Sequence, residues 1–403
     1  MTVVHIITEH FPPTKGGLEE WTKNLTEIFS YLDIYSMVYV CSDSSSGSFS
    51  TNHKSRVIFL KDEREFLEEP LKYSNQSSKM SSERNRLNYN LIKNNILKEI
   101  QTEKSSKHII LSNFLIGTGF LGAIIAEFLG IPHIACAVGT DFSRGFFNPS
   151  ERNIIEFVAR SATYMVTKNF EQMDALKKYG PNSLFKTIHT SVDPRVFNFK
   201  WKNKKHRIIK LFSDCGYSNK KGTQILIESF AKLHGEGIPV SLTLCGNITS
   251  GQEDYWQEMI RSYRLEYGEL ITFNGFLNQP QLWEEMLEHH IYCSATLGEG
   301  SSHARAAALC MGIPIVSTLC GELCDFQDKL INVKLALPAD RIQFTDVLRS
   351  MCLSYLNDEI ILSETNLEYI RYYFSIETER EKWKEVFNNL GQYETKKSNT
   401  FLS

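Results

Sequence analysis

Short runs of β-branched and aliphatic residues alternate with longer helix-like runs along most of the chain. The first pair is VVHIIT, residues 3–8, followed by GLEEWTKNLTEIFSYL, residues 17–32. Strands that alternate with helices pair in parallel through right-handed crossovers, so helices cover both faces of the resulting sheet. The alternation therefore predicts an α/β fold built on doubly wound parallel sheets.

The alternation is interrupted once, at the polar and basic stretch NFKWKNKKHR, residues 198–207, and it resumes with IIKLFS at 208–213. A chain of 403 residues, 42% of them hydrophobic, has enough apolar material for two cores. The interruption therefore predicts a linker between two Rossmann-like domains, which we place at 1–195 and 206–375.

Two segments of the first domain, 42–55 and 74–83, are rich in Ser and Asn and poor in apolar residues. This composition is typical of surface loops. The segment from about 376 to 390 has apolar residues at helical spacing, which predicts a C-terminal helix.

Charge and hydropathy limit the classes of partner. The chain has 44 Lys and Arg against 47 Asp and Glu, a formal net charge of -3. This balance creates no broad positive field, so we expect no nucleic-acid partner, and an acidic ligand must be bound by a local group of residues. The N-terminus shows no secretion signal, and polar residues interrupt the most hydrophobic window, 110–138. We expect a cytoplasmic protein; peripheral contact with the inner face of a membrane, a protein partner and homo-oligomerisation stay open.

The nine cysteines are odd in number and scattered, and most lie in apolar runs where Cys acts as a small hydrophobic residue. We therefore expect reduced thiols, as in cytosolic proteins. Cys320 and Cys324 are close in sequence, but no second His/Cys pair at zinc spacing lies near them, so no zinc site is predicted.

The first candidate ligand site follows the first strand, in HIITEHFPPTKGGLEEW, residues 5–21. Gly16 and Gly17 lie at a strand-to-helix turn, where glycine lets a ligand approach the backbone and the helix start offers unpaired N–H groups to an anion. A Gly-Gly pair is also ordinary turn chemistry, so this motif does not separate a binding site from a simple turn.

The second candidate site is IYCSATLGEGSSHARAAALCMGIPIVST, residues 291–318. The pattern predicts a strand that ends in GEG, residues 298–300, and then a helix that begins at Ser301 or Ser302 and ends at Gly312. In the plainer interpretation, Ser301 is an ordinary N-cap and the GEG turn is a surface loop.

The functional interpretation of the same turn is an anion site. Gly300, Ser301, Ser302 and His303 would present backbone, hydroxyl and imidazole donors at the positive end of a helix dipole, which suits a diphosphate. The carboxylate of Glu299, just before them, suits the hydroxyls of a sugar.

Seven short motifs occur in a fixed order from Val3 to the C-terminal helix. They are FPPTKGG (11–17), GTD (139–141), SVDPRVF (191–197), KKG (220–222), NGF (274–276), EG (299–300) and MGIPIVST (311–318). In this order they resemble the family-4 retaining glycosyltransferases of GT-B fold. The resemblance implies two Rossmann-like domains that face a cleft, with the final helix crossing back to the first domain.

The resemblance also implies roles for individual residues. Gly16 and Gly17 would lie against the donor diphosphate or the acceptor, and Asp141 would face the acceptor side as an orienting group or base. An Asp that caps the turn after Gly139 is the alternative for that residue. Lys221 matches the lysine that contacts the leaving diphosphate.

Further positions come from the later motifs. Phe276 and Leu277 match the segment that flanks the nucleobase. Glu299 matches the first glutamate of the family's E-x7-E pattern and would orient the sugar.

The sequence departs from the family pattern at four places. The second glutamate of E-x7-E, which grips the ribose in similar proteins, falls on Ala307, and the arginine usually paired with the lysine falls on Gly216 in the donor-binding turn. The histidine before GTD falls on Val138, and the usual NGVD turn reads TSVD at 190–193. Ribose binding, charge neutralisation and the acceptor side each lose a usual partner.

A missing cation at the diphosphate calls for a replacement, because a preorganised donor at developing charge contributes about 2.7–4 kcal/mol. His303 and Arg305 are the candidates that the sequence offers in the second motif. Arg305 can equally be a solvated residue on the outer face of the helix.

The predicted function is transfer of a sugar from a nucleoside-diphosphate sugar to a saccharide, lipid-linked glycan, protein or small-molecule acceptor, with retention of configuration. No Asp-x-Asp pair is placed to hold a divalent cation, so no metal or other cofactor is expected. A non-catalytic GT-B module that binds or stabilises a partner transferase is the alternative. A sugar-nucleotide epimerase ranks last, since Glu299 is the only clear carboxylate at the sugar.

Overall fold

The computed structural model describes residues 1–12, 17–41, 47–52, 54–60, 76–139, 142, 145–204, 206–215, 219–248, 253–265, 268–361 and 363–400. The chain divides into two compact units. The first comprises Met1–Ile188 together with Arg380–Ser403, and the second comprises His189–Glu379.

The first unit is built on a sheet to which the described residues contribute eight strands. These are β1 (Thr2–Thr8), β2 (Ile34–Val40), β3 (Gly47–Asn52), β4 (Ser55–Phe59), β5 (Lys107–Asn113), β6 (His133–Ala137), β7 (Tyr164–Thr167) and β8 (Leu184–Thr187). Their order is β3-β4-β2-β1-β5-β6-β7-β8. All neighbouring strands are parallel except β3 and β4, which are antiparallel.

Helices cover this sheet. They are α1 (Gly17–Tyr31), α2 (Gln76–Thr102), α3 (Thr118–Leu129), α4 (Pro149–Ser161) and α5 (Phe170–Lys177). One core cluster packs Ile92 and Ile96 of α2 with residues of β1, β2 and β5. A second packs Ile155 and Val158 of α4 with Ala135 of β6. Two separate apolar clusters are what a sheet covered on both faces requires.

In the second unit, the residues that the structure describes form a sheet of six strands, with all neighbouring strands parallel. Its strands are β9 (Ile209–Ser213), β10 (Val240–Leu244), β11 (Ile271–Phe273), β12 (Ile291–Ser294), β13 (Ile315–Thr318) and β14 (Val333–Ala336). Its helices are α6 (Thr223–Gly235), α7 (Glu253–Ser262), α8 (Gln279–Leu287), α9 (His303–Met311), α10 (Leu323–Phe326), α11 (Arg341–Leu356) and α12 (Glu364–Tyr373).

The strand order of the second sheet, β11-β10-β9-β12-β13-β14, is that of a Rossmann fold. The order reverses between β9 and β12, and ligands of open α/β sheets bind outside the carboxyl ends of the strands at such a point. The predicted α/β class with two doubly wound sheets is confirmed, and β14 is a strand that the sequence pattern did not reveal.

The last helix, α13 (Ile376–Thr400), joins the first unit from Arg380 onward, as predicted. Trp383 is fully buried and packs edge-on against Phe29 of α1, with ring centroids 5.2 Å apart. An aromatic pair of this kind adds about 0.5–1.5 kcal/mol beyond the burial of its surface. The helix is therefore part of the first unit's core.

The two Ser- and Asn-rich segments are not simply loops, as the sequence suggested. Residues 47–52 form β3 against β4, and α2 already begins at Gln76. Ser and Asn have only moderately poor helix propensity, so a helix anchored by buried residues further along can extend through them. Pairing between strands likewise overrides local polarity at β3.

The predicted linker at 198–207 belongs to the second unit instead. Trp201 is buried, its indole N–H donates to the carbonyl of His289 at 2.9 Å, and its backbone N–H donates to Met311 at 2.8 Å. The chain passes between the units at Ile188–His189 and again at Glu379–Arg380. The buried Trp201 anchors this polar segment to the second unit, and its burial cannot be inferred from the composition of the segment.

None of the nine cysteines is paired in a disulfide, and seven of them are buried. No helix in the described part of the chain is both long enough and apolar enough to cross a membrane.

Candidate functional site

The switch point of the second sheet brings two loops together. The loop after β9 carries Lys220 and Lys221, and the loop after β12 carries Glu299. The backbone N–H of Leu297 donates to the carbonyl of Lys220 at 2.9 Å, and the hydroxyl of Thr296 donates to the same carbonyl at 3.3 Å. The two loops are therefore fastened to each other through their backbones.

Gly222 makes this close approach possible. It has a φ of 66°, and a Cβ atom on it would lie 1.9 Å from the carbonyl oxygen of Ala295. A side chain at this position would collide with backbone, which cannot move aside without separating the loops. The glycine of the KKG motif is thus required by the junction, and it places Lys221 at its edge.

The Lys221 ammonium forms an ion pair with Glu299, with Nζ 2.7 Å from Oε2. The side chains are 32% and 15% exposed, so the pair lies at the surface of the crevice and remains accessible. Burial raises the pKa of Glu299, but Lys221 and Lys220 lower it by more. Burial lowers the pKa of Lys221, but Glu299 and then Asp214 raise it by more. Both groups are therefore ionised at neutral pH.

A second carboxylate at this site was missed in the sequence. Asp214 directly follows β9 and accepts a hydrogen bond from the hydroxyl of Tyr292, which is buried in β12. Burial, together with Asp214, keeps the pKa of Tyr292 well above its usual value, so the phenol stays a donor. The position of Asp214 at the carboxyl end of a strand was the available signal.

The loop that carries Glu299 leads directly into the start of α9. Ser302 is the N-cap, and its hydroxyl accepts from the backbone N–H of Arg305 at 3.3 Å, so the N-cap is Ser302 and not Ser301. The hydroxyl of Ser301 is buried and has no hydrogen-bond partner in the described structure. His303 is half-buried at the first position of the helix. The donors that the sequence predicted for an anion are gathered at one helix end.

Arg305 has neither of the positions predicted for it. Its side chain is fully buried and pairs with the equally buried Glu322, with Nε 2.8 Å from Oε1. Burial lowers the pKa of Arg305, but Glu322 raises it by more, and the guanidinium stays charged. The missing cation of the diphosphate site is therefore not Arg305, because its charge is already matched inside the protein.

Two of the departures from the family pattern have structural explanations. Ala307 is buried in the core of the second unit, so this position holds no ribose. In the TSVD turn, the backbone N–H of Ser191 donates to the carboxylate of Glu379 at 2.8 Å. His189, just before that turn, pairs with Asp325 in the interior, with Nε2 2.8 Å from Oδ2. These residues fasten the start of the second unit.

The segment predicted to flank the nucleobase follows β11. Phe276 is 52% exposed, whereas Leu277 packs partly against the core. Gly275, just before them, has a φ of 66°, the left-handed conformation that glycine adopts without strain. The turn presents an aromatic ring at the surface, as stacking on a base would require.

The remaining predicted positions belong to the first unit or are outside the described residues. Gly16, Asp141 and Gly216 are among the residues that the structure does not describe. Gly17 is exposed and is the first residue of α1.

Polar groups also gather at the carboxyl ends of strands in the first unit. The side-chain amide of Asn113 donates to the hydroxyl of Thr22 at 2.9 Å and to that of Thr8 at 3.4 Å. The ammonium of Lys168, which follows β7, lies over the ring of Trp21, 3.7 Å from its centroid. These buried contacts fix α1 on the sheet just after its glycine-containing start.

Residues 207–352 match the family model described as glycosyl transferases group 1, so the second unit contains a domain of that family. This span includes Lys221, Glu299 and the start of α9. No curated protein sequence matches the chain significantly.

Solved structures match over nearly the whole chain. Sucrose-phosphate synthase from Thermosynechococcus elongatus has a TM-score of 0.73 and 13% identity, covering 98% of this chain and 100% of that one. HepE of Anabaena in complex with UDP-glucose has a TM-score of 0.68 and 16% identity, covering 96% and 100%. A lipopolysaccharide outer core galactosyltransferase in its apo form has a TM-score of 0.64 and 14% identity, covering 98% and 100%. At such identities the likeness establishes the fold, which is GT-B.

Proposed function

We propose that this chain, whose second unit contains a glycosyl transferases group 1 domain, is a glycosyltransferase that moves a sugar from a nucleoside-diphosphate sugar to an acceptor. One observation carries the proposal. The Lys221–Glu299 pair and the start of α9 meet at the switch point of a Rossmann-type sheet, where a diphosphate would meet a cation and helix N–H groups.

Each group has a distinct role in the proposed reaction. Lys221 leaves Glu299 to neutralise the departing diphosphate, and the hydroxyls of Ser301 and Ser302 and the backbone N–H of Ser301 share that charge. Once released, the carboxylate of Glu299 accepts hydrogen bonds from the sugar hydroxyls and orients the ring. Asp214, which accepts a hydrogen bond from Tyr292, acts with Glu299 to keep Lys221 charged before the donor binds.

The chemistry of the donor is supported at the level of its class. HepE was solved with UDP-glucose, and its fold is shared with this chain. A nucleoside-diphosphate sugar suits a crevice with one ammonium, a helix start and an exposed aromatic ring at Phe276. The base, the sugar and the acceptor are left to experiment.

Retention of configuration and independence from metal are further parts of the proposal. The order of motifs resembles retaining enzymes of GT-B fold, which supports retention. Lys221 and the α9 dipole supply positive charge where a metal would otherwise be needed. A cytoplasmic location remains a prediction.

A donor panel tests the proposal directly. The purified chain is incubated with UDP-, GDP- and ADP-sugars with and without candidate acceptors, and release of nucleoside diphosphate is measured beside calorimetric binding. Donor-dependent release is expected, unchanged by EDTA, and proton NMR of the product should show the anomeric configuration of the donor. Binding without release across the panel would favour a non-catalytic module. No binding at all would refute the proposed function.

A further inference from the structure

A buried ion pair lies directly behind the turn at 299–302. Arg305 and Glu322 both have fully buried side chains, with Nε to Oε1 at 2.8 Å and Nη2 to Oε2 at 2.9 Å. The remaining N–H groups donate to Ser317 Oγ at 3.2 Å, to Cys320 Sγ at 3.7 Å and to the Cys320 carbonyl at 3.0 Å. All five donors of the guanidinium therefore have partners inside the protein.

Glu322 reaches the helix start as well. Its Oε2 accepts from the backbone N–H of Ser302 at 3.2 Å, and Ser302 is the N-cap of α9. The carboxylate of Glu322 therefore binds both the guanidinium of Arg305, which projects from α9, and the N-cap residue of that helix, Ser302. The loop after β13 and the turn after β12 are joined through this single group.

Gly321 brings the same loop against the turn. Its φ is 65°, and a Cβ atom there would lie 2.9 Å from Nη2 of Arg305 and 3.1 Å from the carbonyl oxygens of Glu299 and Gly300. The backbone of the loop is therefore packed on the backbone of the turn. A shift of either one would move the carboxylate of Glu299.

Stability alone does not account for an ion pair at this position. Buried ion pairs can often be replaced by apolar residues of similar volume with no loss of stability, because desolvating two charges offsets their attraction. What the pair adds is a fixed geometry, because the five N–H donors of a planar guanidinium are all satisfied in only one arrangement of the surrounding acceptors. Groups that stabilise developing charge need such a fixed arrangement.

We propose that Arg305 and Glu322 are positioning residues, which hold the Glu299–Ser302 turn in the shape that binds the donor diphosphate. This inference rests on the proposed function, and neither residue touches the ligand itself. It assigns a role to the arginine of the SSHAR motif, and it adds a residue, Glu322, that the motif comparison did not identify.

The test replaces the pair without opening a cavity. In the double variant Arg305→Met, Glu322→Leu, the fold is expected to persist, but the N–H of Ser302 loses its acceptor. Hydrogen exchange of the amides at 300–304 should become faster, and calorimetric Kd for the nucleoside diphosphate that the wild type binds should rise, by up to about 100-fold. Arg305→Lys keeps the positive charge but loses the planar guanidinium with its paired N–H donors. This variant should change hydrogen exchange at 300–304 and Kd in the same direction as the double variant, but by less.

A core truncation serves as the matched control. Leu348→Ala, in α11, also removes buried contacts of the second unit and should lower Tm without changing Kd or selectively exposing 300–304. If the double variant is folded and both readouts equal those of the wild type, the inference is overturned. If the double variant does not fold, Arg305→Lys with unchanged readouts overturns it in the same way. Absence of any nucleotide binding by the wild type would instead refute the proposed function, and this inference with it.

Discussion

The Nζ atom of Lys221 lies 2.7 Å from Oε2 of Glu299, although the two residues are 78 positions apart in the chain. The pair occupies the crevice where a diphosphate would bind, so each residue neutralises the other until a ligand arrives. In the proposed reaction, ligand binding exchanges this ion pair for contacts with the donor.

Removing the ammonium should mainly affect turnover. Lys221→Met keeps most of the aliphatic stem but loses the charge, and kcat should fall by about 10²- to 10³-fold, as when one donor to developing charge is lost. Steady-state release of nucleoside diphosphate measures this. Lys232→Ala is the control, since Lys232 is exposed on α6, where it forms a surface ion pair with Glu236. Equal loss in both variants would contradict a specific role for Lys221.

Removing the charge of Glu299 should separate binding from turnover. In Glu299→Gln, Lys221 no longer has to leave an ion pair, which at a partly exposed site is worth about 0–1 kcal/mol, so Kd for the free nucleoside diphosphate should tighten by no more than about 5-fold. Turnover should fall by about 100-fold, because the sugar loses its orienting carboxylate. Calorimetry and initial rates give the two numbers. Weaker nucleotide binding would contradict the exchange of partners.

The junction between the two loops should be sensitive to a single methyl group. Gly222→Ala adds both left-handed strain and a collision with the carbonyl of Ala295, so the free energy of unfolding should fall by more than about 2 kcal/mol. Gly237→Ala is the matched control, because Gly237 also has positive φ, 81°, but a Cβ atom there meets nothing within 4 Å. It should cost about 1 kcal/mol. Thermal unfolding compares the two, and similar losses would disprove the close approach.

Acid should destabilise the first unit through two buried histidines. Burial lowers the pKa of His133 to about 3, and burial together with His108 lowers that of His5 to about 3. The folded state holds both rings neutral, whereas the unfolded chain protonates them below a pKa near 6.5. The free energy of unfolding is therefore unaffected by these histidines above about pH 6.5 and decreases progressively as pH falls from there toward 3. At pH 4.5 the loss should be about 2–3 kcal/mol for each histidine.

This pH dependence can be assigned by substitution. His133→Gln retains a polar group near the hydroxyl of Ser112, which lies 2.8 Å from Nε2, but it cannot be protonated. Its Tm should therefore fall less than that of the wild type between pH 7 and pH 4.5. His10→Gln, at an exposed position of the same unit, should leave the wild-type profile unchanged. Parallel profiles for all three proteins would rule out His133 as a source of the effect.

Much of the fold could be read from local patterns. Most strands of the two sheets lie in runs of β-branched and aliphatic residues such as IIKLFS, and the helix caps at Ser302 and Gly312 follow from residue type at a helix end. The motif order also placed Lys221 and Glu299 on loops that follow strands of one sheet. Each of these features depends on a few neighbouring residues.

Arg305 shows where local patterns stop being informative. At the start of a helix it was expected to face a ligand or solvent, but its partner, Glu322, comes from a loop beyond the next strand. Trp201 is similar, because its partners at His289 and Met311 are distant in sequence and a polar stretch surrounds it. The burial and the partners of these two side chains can be assigned only when the order of the strands in the sheet is known.

Hydrophobic periodicity and turn chemistry were enough to establish the α/β class, the repeated strand–helix units and the loops that carry the site, because these act over a few residues of the chain. Which loops meet, which charges neutralise each other and which side chains are removed from water depend on sheet order and on packing. Those are properties of contacts between distant segments, and they are why Lys221 faces the crevice while Arg305 is enclosed behind it.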